Sequence, residues 1–289
     1  MRSIPPDEPT SSFYQRGGTP FFASQHDQRL SYCLYIPRDL DDENAPLVVV
    51  QHGTSRAAAQ YRDNLRAFAD EYRAVILAPL FPAGLVDPDD LHNFKFISYE
   101  GIRFDHALLR IVDEVASRFP VAGDRFFLHG FSGGGQFTHR FLYLHPDRLA
   151  GASIGAPGRI TQIDDSLPWW LGSQDFQARF GQPIDVEALR KVPIQMVVGE
   201  KDIETWEINN RGESNWMDGA EKTGNTRIER LRTLEANFAF HGIDVRFDIV
   251  PGVAHRGSLI LPAVEAFFGE LITSHRATEV SRLGLSGGS

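Results

Sequence analysis

Gly130-Phe131-Ser132-Gly133-Gly134 puts a serine into the pattern G-x-S-x-G. The pattern has chemical meaning where a strand ends and a helix begins, because the hydroxyl must stand clear of the sheet on a sharp turn. Here the apolar run Arg125-Phe126-Phe127-Leu128 precedes it, and a helical pattern carrying Phe137, Phe141 and Leu144 follows. Glycines at 130 and 134 let strand and helix approach closely. The backbone N–H of Gly133 then lies at a helix N-terminus, where a developing oxyanion is stabilised. A serine hydroxyl is a weak nucleophile until a base takes its proton, and the base needs an acid to orient it. Of the ten histidines, His255 and His275 follow a late strand pattern. Acids in a suitable place are Glu200, Asp202 and Glu204, at the turn that closes the apolar run 194–198. This set points to acyl transfer through a nucleophilic serine.

Other chemistries find less support. His139 and His145 lie six apart on one predicted helix, which does not put them on one face, and no H-E-x-x-H occurs. Gly133-Gly134-Gly135 is not followed by the lysine of a phosphate-binding loop. No metal and no cofactor are expected. The one cysteine, Cys33, sits in a predicted strand and reads as a small buried hydrophobe.

The elements that must hold these residues follow from apolar periodicity. Leu47-Val48-Val49-Val50, 74–78, 125–128, Leu149–Gly155 and 194–198 read as buried strands, the second stopped by Pro79. Helical spacing marks Tyr61, Leu65, Phe68 and Tyr72; then Phe104, Leu108, Ile111, Val112 and Val115; then Ile228, Leu231, Leu234 and Phe238; and lastly Val264, Phe267, Phe268 and Leu271. Val245, Phe247 and Ile249 alternate with Arg246 and Asp248, the pattern of a half-buried strand near a sheet edge. Strand and helix in repeated alternation predict an α/β fold, a mostly parallel central sheet with helices on both faces. Residues 31–36 predict antiparallel strands at one edge. Segments 159–189 and 203–225 break the rhythm after strand ends and read as lid-like insertions. Residues 1–19 and 275–289 read as flexible ends of one domain spanning 1–289, with a core over about 30–272.

The chain has 289 residues, 42% of them hydrophobic and 23% charged, which fits a globular protein. A net charge of −9 argues against a broad nucleic-acid surface. No cluster of Arg or Lys marks the site in sequence, so a neutral or mildly charged substrate is expected. The runs Asp39, Asp41, Asp42, Glu43 and Asp87, Asp89, Asp90 read as solvated loops. Residues 1–10 lack a signal peptide's apolar core and no stretch reads as a membrane span. A cytoplasmic location without a membrane partner is therefore expected. Oligomeric state is not set by these patterns.

The turn Gln51-His52-Gly53-Thr54, Arg103-Phe104-Asp105 opening a helix, His129-Gly130-Phe131-Ser132-Gly133-Gly134 and Gly252-Val253-Ala254-His255 together resemble the α/β-hydrolase superfamily. The likeness is greatest to its polyhydroxybutyrate depolymerase and feruloyl-esterase-like branch, and it runs from about Leu30 to Leu271. The resemblance implies a Ser-His-Asp triad. His255, in the loop before the last helix, stands where the superfamily carries its histidine. Asp202 stands where it carries its acid, usually as G-x-x-D, with Glu200 or Glu204 able to serve instead. Thr54 after His-Gly stands where many relatives carry the second oxyanion donor, Gly133 being the first, although relatives more often show a triple glycine. His52 would be structural, as would Arg103 and Asp105.

Trp169, Trp170 and Trp206 read equally as pocket lining or as the packing of a lid onto its body. Phe81 and Phe131 flank the site, and Phe131 also fits the core. The resulting expectation is a serine hydrolase that cleaves a small carboxylic ester through an acyl-enzyme. The alternatives are an amidase or peptidase on the same fold, or a catalytically silent ligand receptor. Many members of the depolymerase branch are secreted and disulfide-bonded. A chain with one cysteine departs from that, so a soluble ester is expected rather than a polymer.

Overall fold

The computed structural model describes residues 16–40, 44–205, 208–212 and 216–282. Trp206 and the acids 41–43 lie outside the described residues. Two short strands, β1 (Gly17–Gly18) and β2 (Phe22–Ala23), lead into β3 (Ser31–Ile36) and β4 (Leu47–Gln51). Helices α1 (Ala58–Asn64) and α2 (Arg66–Tyr72) carry the chain to β5 (Val75–Leu80). A hairpin of β6 (Ser98–Tyr99) and β7 (Ile102–Arg103) enters α3 (Phe104–Arg118). Then come β8 (Phe126–Phe131), α4 (Gly133–Leu144) and β9 (Leu149–Gly155). The first insertion holds α5 (Phe176–Phe180) and α6 (Val186–Leu189). The chain ends on β10 (Ile194–Gly199), α7 (Arg227–Phe240), β11 (Arg246–Val250) and α8 (Gly257–Arg282).

One nine-stranded sheet has the order β1-β3-β5-β4-β8-β9-β10-β11, with β2 on β3. From β5 to β11 neighbouring strands are parallel, while β1, β2 and β3 join antiparallel. The inner strands are apolar throughout because both of their faces are covered. Every residue of β4, β8 and β10 is buried, whereas β11, at the edge, is mostly half-buried. The β4-to-β5 connection steps one way along the sheet, and the connections through α4 and α7 step the other. Right-handed crossovers therefore put α1 and α2 on the face opposite α4 and α7. Helix α8 joins α2. Arg276 Nη2 donates to the Tyr72 carbonyl at 3.0 Å, and Gly269 leaves room for the Tyr72 ring. A continuous apolar cluster runs from Leu30 to Ile272.

Three boundaries differ from expectation. Gly17–Gly18 pair with Ile36 and Tyr35 of β3, so the stretch 17–19 belongs to the sheet and not to a flexible end. Strand β5 continues past Pro79, which pairs with Tyr32 of β3. On the β4 side the ladder ends at Leu77, so the missing proline N–H removes no rung there. The last helix runs to Arg282, so His275 lies within it and not in a flexible tail. No glycine or proline interrupts 270–282, and Arg276 anchors that stretch to Tyr72. By length and composition this helix also passes as a membrane span, contrary to the sequence reading. Its Ile260, Val264, Phe268 and Ile272 belong to the buried cluster, which accounts for its apolar character.

Candidate active site

The carboxyl ends of β4, β8, β10 and β11 open on the same edge of the parallel sheet, the side where open α/β sheets bind ligands. Ser132 follows β8 and is the N-cap of α4, with φ +58° and ψ −115°. That left-handed backbone is unusual for a serine and makes the sharp strand-to-helix turn. Its own N–H donates to Gly155 O at 2.9 Å. Close packing enforces the turn. A Cβ on Gly130, Gly134 or Gly135 would lie 2.3 Å from the carbonyl oxygen of Gly134, Gln51 or Gly155 respectively.

The loop after β4 is fixed by His52, which is fully buried. Its Nε2 accepts the Phe81 N–H at 3.0 Å, so the ring proton sits on Nδ1 and is donated to Gly53 O at 2.9 Å. Burial pushes this imidazole down to about 3, so it is neutral at ordinary pH. In a trans peptide C=O and N–H point in opposite directions. Holding the Gly53 carbonyl toward His52 therefore turns the Thr54 N–H the other way. Thr54 N lies 3.2 Å from where a Cβ on Gly133 would stand, so the two donor residues adjoin. Arg56 braces the loop, donating to Thr54 O at 2.7 Å and to Leu91 O at 2.8 Å.

After β10, Gly199 lets the chain pass the 253–254 backbone, and a Cβ there would lie 2.2 Å from Val253 O. The following turn buries Asp202 completely. Its Oδ2 accepts from His255 Nδ1 at 2.6 Å, and Arg227 Nη1 donates to its Oδ1 at 3.2 Å. Glu200 is exposed and accepts the Gly252 N–H instead, and Glu204 is exposed as well. Of the three candidate acids, Asp202 meets the histidine. His255 keeps Nε2 clear of this bond, and its ring lies 4.6 Å from that of Phe131. Ser132, His255, Thr54 and Phe131 line one cleft of about 580 Å³, between the start of α1 and the start of α8.

The aromatic candidates divide differently from expectation. Phe81 is fully buried among His52, Phe94, Phe104 and Phe137 and lines no part of the cleft. Its contribution is the backbone N–H given to His52. Trp169 and Trp170, 9% and 6% exposed, pack the first insertion onto α4. Thr161 is the clip. Its N–H donates to His139 Nε2, Arg140 donates to its hydroxyl, and Tyr143 donates to its carbonyl. Arg140 lies against both indoles.

Cations gather behind the site, although none of the five lines the cleft. Arg140, Arg159, Arg227 and Arg230 are all buried, and Lys95 Cε lies 2.9 Å from where a Gly133 Cβ would stand. Burial, together with Arg159 and Arg227 nearby, pushes Arg230 down to about 10. Arg140 is pushed to about 9 by burial and by Arg159. These residues come from four separate segments, so their gathering has no local signature in the sequence. Tyr61 was also hidden, read as part of the apolar stripe of α1, yet it lines the cleft. Asp105, His106 and His145 bring ligand-type atoms within 4.8 Å of one another. Arg103 occupies both oxygens of Asp105, at 2.8 and 2.6 Å, which leaves this cluster as an ion-pair network.

The parallel sheet with an antiparallel edge, the serine turn after a central strand and the histidine loop before the last helix define an α/β-hydrolase fold. Solved structures share it across most of their length. One is poly(aspartic acid) hydrolase-1 from Sphingomonas sp. KT-1, 22% identical, with 82% of this chain and 92% of that chain covered at a TM-score of 0.68. Another is a poly(3-hydroxybutyrate) depolymerase from Bordetella parapertussis, 21% identical, with 83% and 85% covered at 0.68. A third is an S-formylglutathione hydrolase from Agrobacterium tumefaciens, 16% identical, with 89% and 95% covered at 0.60. No protein-family model and no curated protein matches the sequence.

Proposed function

We propose that the protein is a serine hydrolase acting on carboxylic esters through an acyl-enzyme. The observation that carries this reading is the 2.6 Å contact between buried Asp202 and His255 Nδ1, beside a cleft that Ser132 also lines. His255 Nε2 takes the Ser132 proton as Oγ attacks the ester carbonyl. The N–H groups of Gly133 and Thr54 hold the oxyanion. His255 then protonates the leaving alcohol, and a water activated by the same nitrogen releases the acid. Asp202 keeps the ring proton on Nδ1 and stabilises the imidazolium without taking the proton. Structural neighbours named as esterases, a depolymerase and S-formylglutathione hydrolases support this reading.

The test is labelling together with turnover. The wild type should take up one equivalent of a fluorophosphonate probe and hydrolyse short p-nitrophenyl esters. Ser132→Ala should take up none and lose at least about a thousandfold in rate. Unchanged turnover in that variant overturns the reading. An amide substrate is the second reading, favoured by a neighbour named for poly(aspartic acid). Matched ester and anilide substrates separate the two, since both reactions use the same triad.

A further inference from the structure

We propose that Tyr61 is a substrate-positioning residue whose hydroxyl donates a hydrogen bond to an oxygen in one arm of the ester, so that the cleft selects oxygen-bearing arms over all-carbon ones. The inference rests on the hydrolase reading above and names the substrate class for the same cleft.

Tyr61 stands on α1, and its hydroxyl is aimed at the reacting serine's neighbourhood. The point where a Cβ on Gly53 would stand is 3.3 Å from the Tyr61 hydroxyl and 3.8 Å from Ser132 Cβ. The same point is 3.3 Å from the Phe131 carbonyl oxygen, tighter than an ordinary contact, so glycine at 53 lets the phenol and the serine turn approach each other where both line the cleft. Burial pushes the phenol up to about 12, and the Gly53 backbone amide offsets only part of this. The group is therefore protonated, and able to donate, across the working range of a histidine-dependent enzyme. None of the described hydrogen bonds uses its proton, and substrate occupying the cleft would supply the acceptor. The walls beyond it are mixed, with Leu91 and Leu261 apolar and four side chains polar. Gln60 and Asn64 rise from α1, and Arg256 and Ser258 come from the start of α8. Among the described residues, no carboxylate lines this cleft. An all-carbon arm placed here would strip water from several polar groups and return no hydrogen bond, a loss that a chain oxygen makes good.

The experiment compares isosteric pairs with each arm varied in turn. The acyl pair is p-nitrophenyl 3-methoxypropanoate against p-nitrophenyl pentanoate. The alcohol pair is 2-methoxyethyl acetate against butyl acetate. kcat/KM is measured for the wild type and for Tyr61→Phe, which keeps the ring, and the melting temperature of both is recorded. Each substrate is compared with itself, so intrinsic reactivity cancels. In one pair at least, Tyr61→Phe should cost the methoxy member about five- to tenfold more than its carbon isostere, the scale of one neutral hydrogen bond. Equal losses in both pairs, or no loss in either, overturn the inference and leave the hydrolase reading standing. No turnover of any of the four esters by the wild type overturns both.

Discussion

Two aspartates in this protein are built almost alike. Asp202 and Asp105 are each fully buried, each touches a histidine nitrogen at 2.6 or 2.8 Å, and each is bonded by an arginine. Burial alone would raise the Asp105 carboxyl, yet hydrogen bonds from His145 and Arg103 hold it well below the usual range. The difference lies in the ring nitrogen and in what stands beyond it. Asp202 takes Nδ1 of His255 and leaves Nε2 for the cleft that holds Ser132. Asp105 takes Nε2 of His145 itself. Ser132 is the N-cap of α4 and His145 its C-cap, about 18 Å apart along twelve residues of helix. An acid, a histidine and an arginine in contact thus make a structural clamp in one place and, in the proposed function, an orienting pair in the other. The serine and the cleft decide which.

Paired variants test that contrast, and the largest effect comes from the histidines. His255→Ala should lower kcat at least about a thousandfold, whereas His145→Ala should leave it within about threefold, as read with one p-nitrophenyl ester. A large loss from His145→Ala would mean the clamp acts on the chemistry. The aspartates come next. Asp202→Asn keeps its shape and should lose about a thousandfold in rate by releasing the wrong tautomer of His255. Asp105→Asn should instead lower unfolding free energy by about 3 kcal/mol in urea titration, because it breaks a buried pair.

Acid separates the clamp from the core. His52 is pushed to about 3 and His129 to about 4, both by burial. These folded values lie below the unfolded value, so the unfolded chain binds more protons. The stability from these rings is complete above about pH 6.5 and falls with acid, by up to about 1.4 kcal/mol per pH unit for each ring. Asp105 adds stability that is lost only as pH falls below the ordinary carboxylate range. Urea midpoints between pH 7 and pH 3 should therefore fall from about 6.5 downward in wild type and Asp105→Asn alike, with a further loss below about pH 4 in the wild type alone. The smallest effect should come from Thr54→Ala, less than about threefold in kcat, because the donor is a backbone N–H.

Much of the fold was legible because buried parallel strands are continuous apolar runs and their helices keep a strict period. The meeting of Asp202 with His255, beside a cleft that Ser132 also lines, could be anticipated because each residue sits in a short turn motif at a strand end. What escaped was built from distance. Arg227 reaches Asp202 from a helix 25 positions on, and His145 reaches Asp105 from 40 away. The cationic cluster has one or two residues per segment. Tyr61 was masked by its own ring, which satisfies an apolar stripe as well as leucine would. Phe81 misled for the opposite reason, since an aromatic side chain beside a site can point into the body, while Trp169 and Trp170 resolved to the packing side of a reading left even. The Pro79 and His275 boundaries depended on which neighbours were present.

The glycines of the serine turn set a limit on how this protein can change. At positions 130, 134 and 135 the nearest obstacle to a side chain is main-chain oxygen, which cannot swing aside as a rotamer can. A saturation library at those three codons should return glycine almost alone among folded clones. One at Gln60, Asn64 and Ser258 should return many folded sequences with different substrate preferences. Under the proposed function, selection for a new ester would therefore find its variation along the cleft walls and almost none at the serine turn.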